Sequence, residues 1–219
     1  MRSPDVLIND SLGVVLTELI QVYNPIHILE IGSAEGHGST KVITEAIKGT
    51  DCNLYCIEMD KVRFDHLRAK MQPLSNVFPY HAASIDVDGM MDRDYIEKFK
   101  IAHPTHTLWK VMTMAEIYLW YDNSVRQIPS MEIKNGIDHI KNLHGIEFFD
   151  MVFIDGSPFT GYSELKSVYG ADLIVLDDTM DIKCYDAFRF LLNDPNYTLI
   201  ERNDSYRTGY AVFKNNERP

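Results

Sequence analysis

The stretch "HILEIGSAEGHGST", residues 27–40, sets a short apolar run, three glycines within seven positions and a helix-compatible start in direct succession. Glycine lets a backbone turn sharply and lets a ligand approach without meeting a Cβ, and the first turn of a helix offers unpaired N–H groups. A strand, a glycine turn and a helix therefore form a ligand cradle. A dinucleotide-binding turn reads G-x-G-x-x-G. Counted from Gly32, its second and third glycines would fall on Ala34 and His37, so that pattern fails; the spacing here is Gly32, Gly36, Gly38.

Working outward, the apolar period switches repeatedly between strand-like and helix-like. Residues 10–23 repeat apolar side chains at helical spacing behind a capping Asp or Ser, and Asn24-Pro25 closes that helix. After the glycine turn come a helix ending near Gly49, a strand "NLYCIEMD", a helix "KVRFDHLRAKM" and a strand "NVFPYHAAS". This β-α-β-α-β order is the signature of a parallel sheet built from right-handed crossovers. The alternation then lapses for about 60 residues, far longer than an ordinary connection. Within the lapse, 86–146, the segments "RDYIEKFKIAH", "TLWKVMTMAEIYLWY" and "MEIKNGIDHIKNLHGI" are expected to be helical. Regularity returns with "FFDMVFIDG", a strand, followed by a helix, the strand "ADLIVLDDT", another helix, and "YTLIERN" and "TGYAVFKN", expected as an antiparallel hairpin at the sheet edge. The expected fold is a single α/β domain. It is a Rossmann-like, doubly wound seven-stranded sheet, mostly parallel with the last strand antiparallel, and it carries a helical insertion after the third strand.

Composition narrows the partners. With 219 residues and 45% apolar side chains the chain can bury a full core. A net charge of −11 argues against nucleic acid, whose phosphates call for clustered Lys and Arg. "KVRFDHLRAK" reads as one solvated helix face rather than a basic stripe. Cys52, Cys56 and Cys184 form no CxxC pair and are odd in number, so buried thiols in a reducing, cytoplasmic setting are expected. No apolar run approaches the length of a membrane span, and the opening decapeptide lacks the apolar core of a signal peptide.

"LEIGSAEGHGST" resembles motif I of the class I S-adenosylmethionine-dependent methyltransferases. The resemblance is closest to the branch containing macrocin-type sugar O-methyltransferases and cephalosporin hydroxylase relatives, and more distant to the catechol O-methyltransferases. It covers about residues 26–85 and 147–214. It implies that Glu30, Gly32, Ser33, Ala34, Gly36 and Ser39 cradle S-adenosylmethionine. Glu58 ends the second strand, where a carboxylate can accept bonds from both ribose hydroxyls. Asp60 suits a helix cap better. Ser84 or Asp86, after the third strand, falls where the family meets the adenine ring, although Ser in that place is equally a turn residue.

Asp155 follows "FDMVFI" and Asp177-Asp178 follows "LIVL", so neighbouring strands of a parallel sheet would bring three carboxylates to one edge. Three converging acids repel, and a hard divalent cation with oxygen ligands is the common remedy. These positions also fall on the Mg²⁺ ligands of the families named above. The plainer alternative makes Asp155 a cofactor or turn residue and Asp177 or Asp178 a helix cap. The chain departs from the family at the base: the catechol enzymes' lysine falls on Pro158, and the macrocin-type aspartate falls on Ser157. His103, His106, His139 and His144 are then the candidates for a base. "LWKVMTMAEIYLWYDN" offers an aromatic substrate wall or lid, or equally a packing or dimer surface. The expected activity is O-methylation, with Mg²⁺ or a similar ion, of a small hydroxylated molecule or sugar unit. The rivals are a cofactor- or metal-binding relative without methyl transfer, and a metal-independent methyltransferase on another substrate class, of which nucleic acid is disfavoured by charge.

Overall fold

In the computed structural model, which describes residues 6–103 and 110–218, five parallel strands carry the middle of the molecule. They are β1 (His27–Ile31), β2 (Asn53–Glu58), β3 (Val77–His81), β4 (Met151–Ile154) and β5 (Leu173–Asp177). β6 (Tyr197–Asn203) and β7 (Tyr210–Asn215) complete a sheet of order β3-β2-β1-β4-β5-β7-β6. β7 runs antiparallel to both β5 and β6, so the hairpin closes one edge as expected.

Side chains alternate across the sheet. Leu29, Ile31, Val152, Ile154, Ile174 and Leu176 join one buried cluster, and Ile28, Met151, Phe153, Leu173 and Val175 join another. Helices cover both faces. α1 (Ser11–Tyr23) starts where the Asp10 side chain accepts from the Gly13 N–H and stops at Asn24, which is left-handed. α2 (Ser39–Ala46) follows the glycine turn, and α3 (Lys61–Met71) is capped by Asp60, which accepts from the Arg63 N–H.

The long segment after β3 divides in two. α4 (Arg93–Ala102) and α5 (Met114–Gln127) form a satellite cluster in which Ile96, Phe99 and Ile117 pack on Phe159 and Ile182, residues that follow β4 and β5. α5 begins later than the sequence suggests, because Thr113 and Glu116 make a reciprocal capping box that restarts the helix at Met114. Residues 107–109 of that expected helix lie outside the described residues. α6 (Gly136–His144) belongs to the main core, with Ile137 and Ile140 fully buried against the sheet, and so serves as the crossover into β4. It is shorter than expected: Asn135 caps it, and Ile133 instead bridges Ala82 at the end of β3. α7 (Gly161–Val168) and α8 (Tyr185–Leu192) finish the helical layers. All three cysteines are buried and free, and among the described residues no helix is long and apolar enough to cross a membrane.

Candidate functional site

Register places the site. Ile31 pairs with Ile57 on one side and Ile154 on the other, and Ile154 pairs with Leu176. The next residues, Gly32, Glu58, Asp155 and Asp177, therefore stand at one level along its carboxyl edge. This is where the strand order reverses direction around β1 and β4, the usual crevice of an open α/β sheet. A cavity of about 610 Å³ opens there.

Part of the cavity is lined by Gly32, Ala34, Glu58, Asp60, Ala83 and Ser84. Gly32 has φ +89°, and a Cβ on it would collide with the carbonyl oxygen of Asp155, so the turn and the β4 loop touch only because no side chain intervenes. Glu58 accepts from the Ala34 N–H at 2.8 Å and from the Asp60 N–H at 2.7 Å, tying the turn to the end of β2. Burial raises its carboxyl above the ordinary range despite these two bonds. Ser84 donates at 2.5 Å to Glu164, a fully buried carboxyl whose affinity for its proton burial also raises. Asp86 is spent on the Val87 N–H.

The other expected cofactor residues stand behind the cavity. Glu30 is fully buried and accepts from the Thr40 hydroxyl at 2.7 Å, which braces α2 against β1. Ser33 and Ser39 are buried as well. Gly36 sits over Leu67 and Met71 of α3.

Beside them, at the ends of β4 and β5, stand the three aspartates, whose ligand-type oxygens lie within 4.8 Å of one another; Asp155 and Asp178 line the cavity, and Asp177 is buried behind them. They are not alone. The Lys183 ammonium lies 2.5 Å from both Asp155 Oδ1 and Asp178 Oδ2, and Arg207 pairs with Asp177 at 3.3 Å. Thr208 donates its hydroxyl to Asp178. Burial, and then the charges of Asp155 and Asp178, push the Asp177 carboxyl up to about 8. Against the effect of burial, Lys183 holds Asp178 low, while Asp155 and Asp178 hold the ammonium well above its ordinary range. This donor set does not fit a divalent cation as built, because the ammonium already occupies the point between two of the would-be ligands.

The roof comes from α5 and its neighbours: Met90, Trp120, Asn123, Ser124, Gln127 and Ile128. Trp120 meets Phe159 edge-on at 5.5 Å, so the roof is anchored to the loop that follows Asp155.

No protein-family model matches the sequence, and no curated protein matches it. Solved structures do. A methyltransferase from Geobacter sulfurreducens aligns at TM-score 0.57 and 11% identity, over 96% of this chain and 81% of its own. An O-methyltransferase from Bacillus cereus in complex with SAH aligns at 0.58 and 12%, over 98% and 82%. The O-methyltransferase TomG from Streptomyces achromogenes, in complex with SAM, aligns at 0.54 and 16%, over 97% and 82%. This chain has the Rossmann-like methyltransferase fold.

On that methyltransferase fold the expected histidines that the structure describes stand away from the cavity. His103 caps α4 and packs on Phe99 and Tyr185. His139 and His144 lie against Tyr80, with His144 Nε2 2.6 Å from the Tyr80 hydroxyl. His106 lies outside the described residues. The sequence reading missed Lys183, Arg207 and Thr208. The one available signal was a lysine five residues beyond the paired aspartates in "DDTMDIKC".

Proposed function

We propose that the protein transfers a methyl group from S-adenosylmethionine to an oxygen of a small hydroxylated molecule or sugar unit. The observation that carries the reading is a cavity lined both by the glycine turn and Glu58 and by Asp155, Asp178 and Lys183. The volume of about 610 Å³ suits a cofactor-sized ligand with part of a second molecule. The SAH and SAM carried by two of the similar structures lend support.

The cofactor, when bound, supplies a sulfonium methyl, and the product is its demethylated form. Gly32 and Ala34 leave room for it at the turn, and Glu58 keeps lone pairs for the ribose hydroxyls beyond the two it gives to backbone N–H groups. Ser84, whose own proton is committed to Glu164, can still accept from an adenine amino group. The charged cluster orients an acceptor hydroxyl, and its proton leaves to Asp155 or Asp178, the two carboxylates of the cluster that line the cavity. The α5 roof excludes water. Divalent-metal assistance, which the resemblance implies, would require Lys183 to abandon its two carboxylates.

Calorimetry with S-adenosylhomocysteine tests the reading. Micromolar or tighter binding is expected, and absence of binding would remove the cofactor and the methyl transfer together. A relative that binds cofactor without methyl transfer is the second reading, favoured by Pro158 and Ser157 at the family's base positions. Turnover of labelled S-adenosylmethionine over a panel of hydroxylated acceptors separates the two.

A further inference from the structure

The carboxylate cluster carries its own cation. We infer that Lys183 permanently occupies the position a divalent metal would take, so that the acceptor oxygen meets an ammonium and the protein needs no metal. The inference rests on the methyltransferase reading only for what the cation does, not for where it lies.

Distance is the first argument. Hard divalent cations take carboxylate oxygens at about 2.0–2.6 Å. The Lys183 nitrogen is 2.5 Å from one oxygen of Asp155 and 2.5 Å from one of Asp178, so an ion bridging the same pair would coincide with it. Asp177 is fully buried beside Arg207, 3.3 Å from its guanidinium, and is not among the residues that line the cavity.

The chain also builds this placement into the backbone. Gly161, the first residue of α7, lies so close to the Lys183 carbonyl that a Cβ would collide with it, and the loop is thereby pinned under α7. Asp178 adopts φ +57°, which turns the chain out of β5 immediately before the loop. The Lys183 side chain is only 13% exposed, yet it lines the cavity. An ammonium has three N–H donors. Asp155 and Asp178 take two, which leaves one for an oxygen entering from the cavity. A single positive charge with a directed donor would hold that oxygen where the resembling families use a metal.

Manganese binding decides the matter without any acceptor. The full chain, stripped with EDTA and desalted, is titrated with Mn²⁺ while free ion is followed by electron paramagnetic resonance. Wild-type protein is expected to leave the free-ion signal undiminished at equimolar concentration. Lys183→Met, which empties the point between the carboxylates, is expected to take up one ion per chain. Uptake of one ion per chain by wild type would overturn the inference, and so would a Lys183→Met chain, folded by circular dichroism, that takes up none. If Lys183→Met fails to fold, Lys183→Gln replaces it; should neither fold, the wild-type titration alone decides. Calorimetry with S-adenosylhomocysteine on the same samples reads the cofactor site separately. Failure there would remove the methyltransferase reading and leave the manganese result to stand by itself.

Discussion

Glu58 and Glu30 are both buried acids at strand ends, and the structure gives them different work. Glu58 faces the cavity and holds two backbone N–H groups, so on the proposed reading Glu58→Ala should remove charge-assisted bonds to a ribose and loosen the turn as well. Each such bond is worth about 1.5–3 kcal/mol, so S-adenosylhomocysteine affinity should fall at least about tenfold by calorimetry. Unchanged affinity would remove Glu58 from the cofactor site. Glu30 faces α2 and meets only protein. Burial raises its carboxyl above the ordinary range, so the folded chain holds that proton to higher pH than the unfolded chain does. Its contribution is then full below the unfolded value and is lost as pH rises through the folded one. Glu30→Gln should narrow the difference in urea midpoint between about pH 5 and about pH 8, because it holds an amide in the neutral acid's place. An undiminished difference would mean that Glu30 is ionised in the fold. At Gly32, alanine brings both a disfavoured φ and a collision with the Asp155 carbonyl, and a loss of about 1–3 kcal/mol is expected in denaturant melts.

Among the elements, the segment between β3 and β4 shows best where a sequence can mislead. Its three expected helices all repeat apolar residues at helical spacing, yet α6 sends Ile137 and Ile140 into the main core, while α5 buries only Ile117 and Ser124. The helical period does not separate them, because the difference lies in which surface each helix meets. Hydrogen exchange should make it visible. α6 amides are expected to exchange as slowly as the strands with or without ligand, whereas α4 and α5 should exchange faster in the free protein and slow when S-adenosylhomocysteine is bound under the roof. Ligand-independent exchange in α5 would make it a fixed wall. The aspartates, by contrast, were legible, since acids that end neighbouring parallel strands must share an edge. Lys183 and Arg207 were not, because they sit in irregular loops whose approach depends on turns such as the left-handed Asp178.

For the molecule as a whole, the cofactor would bridge the β1–β2 half and the β4–β5 half of the sheet, so its binding should stabilise the entire fold. At about one hundred times its dissociation constant, S-adenosylhomocysteine is expected to add about 2.7 kcal/mol, seen as a raised midpoint in a single thermal transition. The overall topology was readable because strand and helix periods alternate cleanly on both sides of the long segment between β3 and β4. The charge balance of the aspartate cluster was hidden, since it joins a loop after β5 to the turn between β6 and β7. That turn also bears on biosynthesis. β7 enters the sheet between β5 and β6, although it is made after both. Until residues 210–215 have left the ribosome, the edge of β5 that faces away from β4 has no neighbour. A nascent chain stalled at that stage would present an open apolar strand, the form most exposed to mispairing with another copy and most in need of a chaperone.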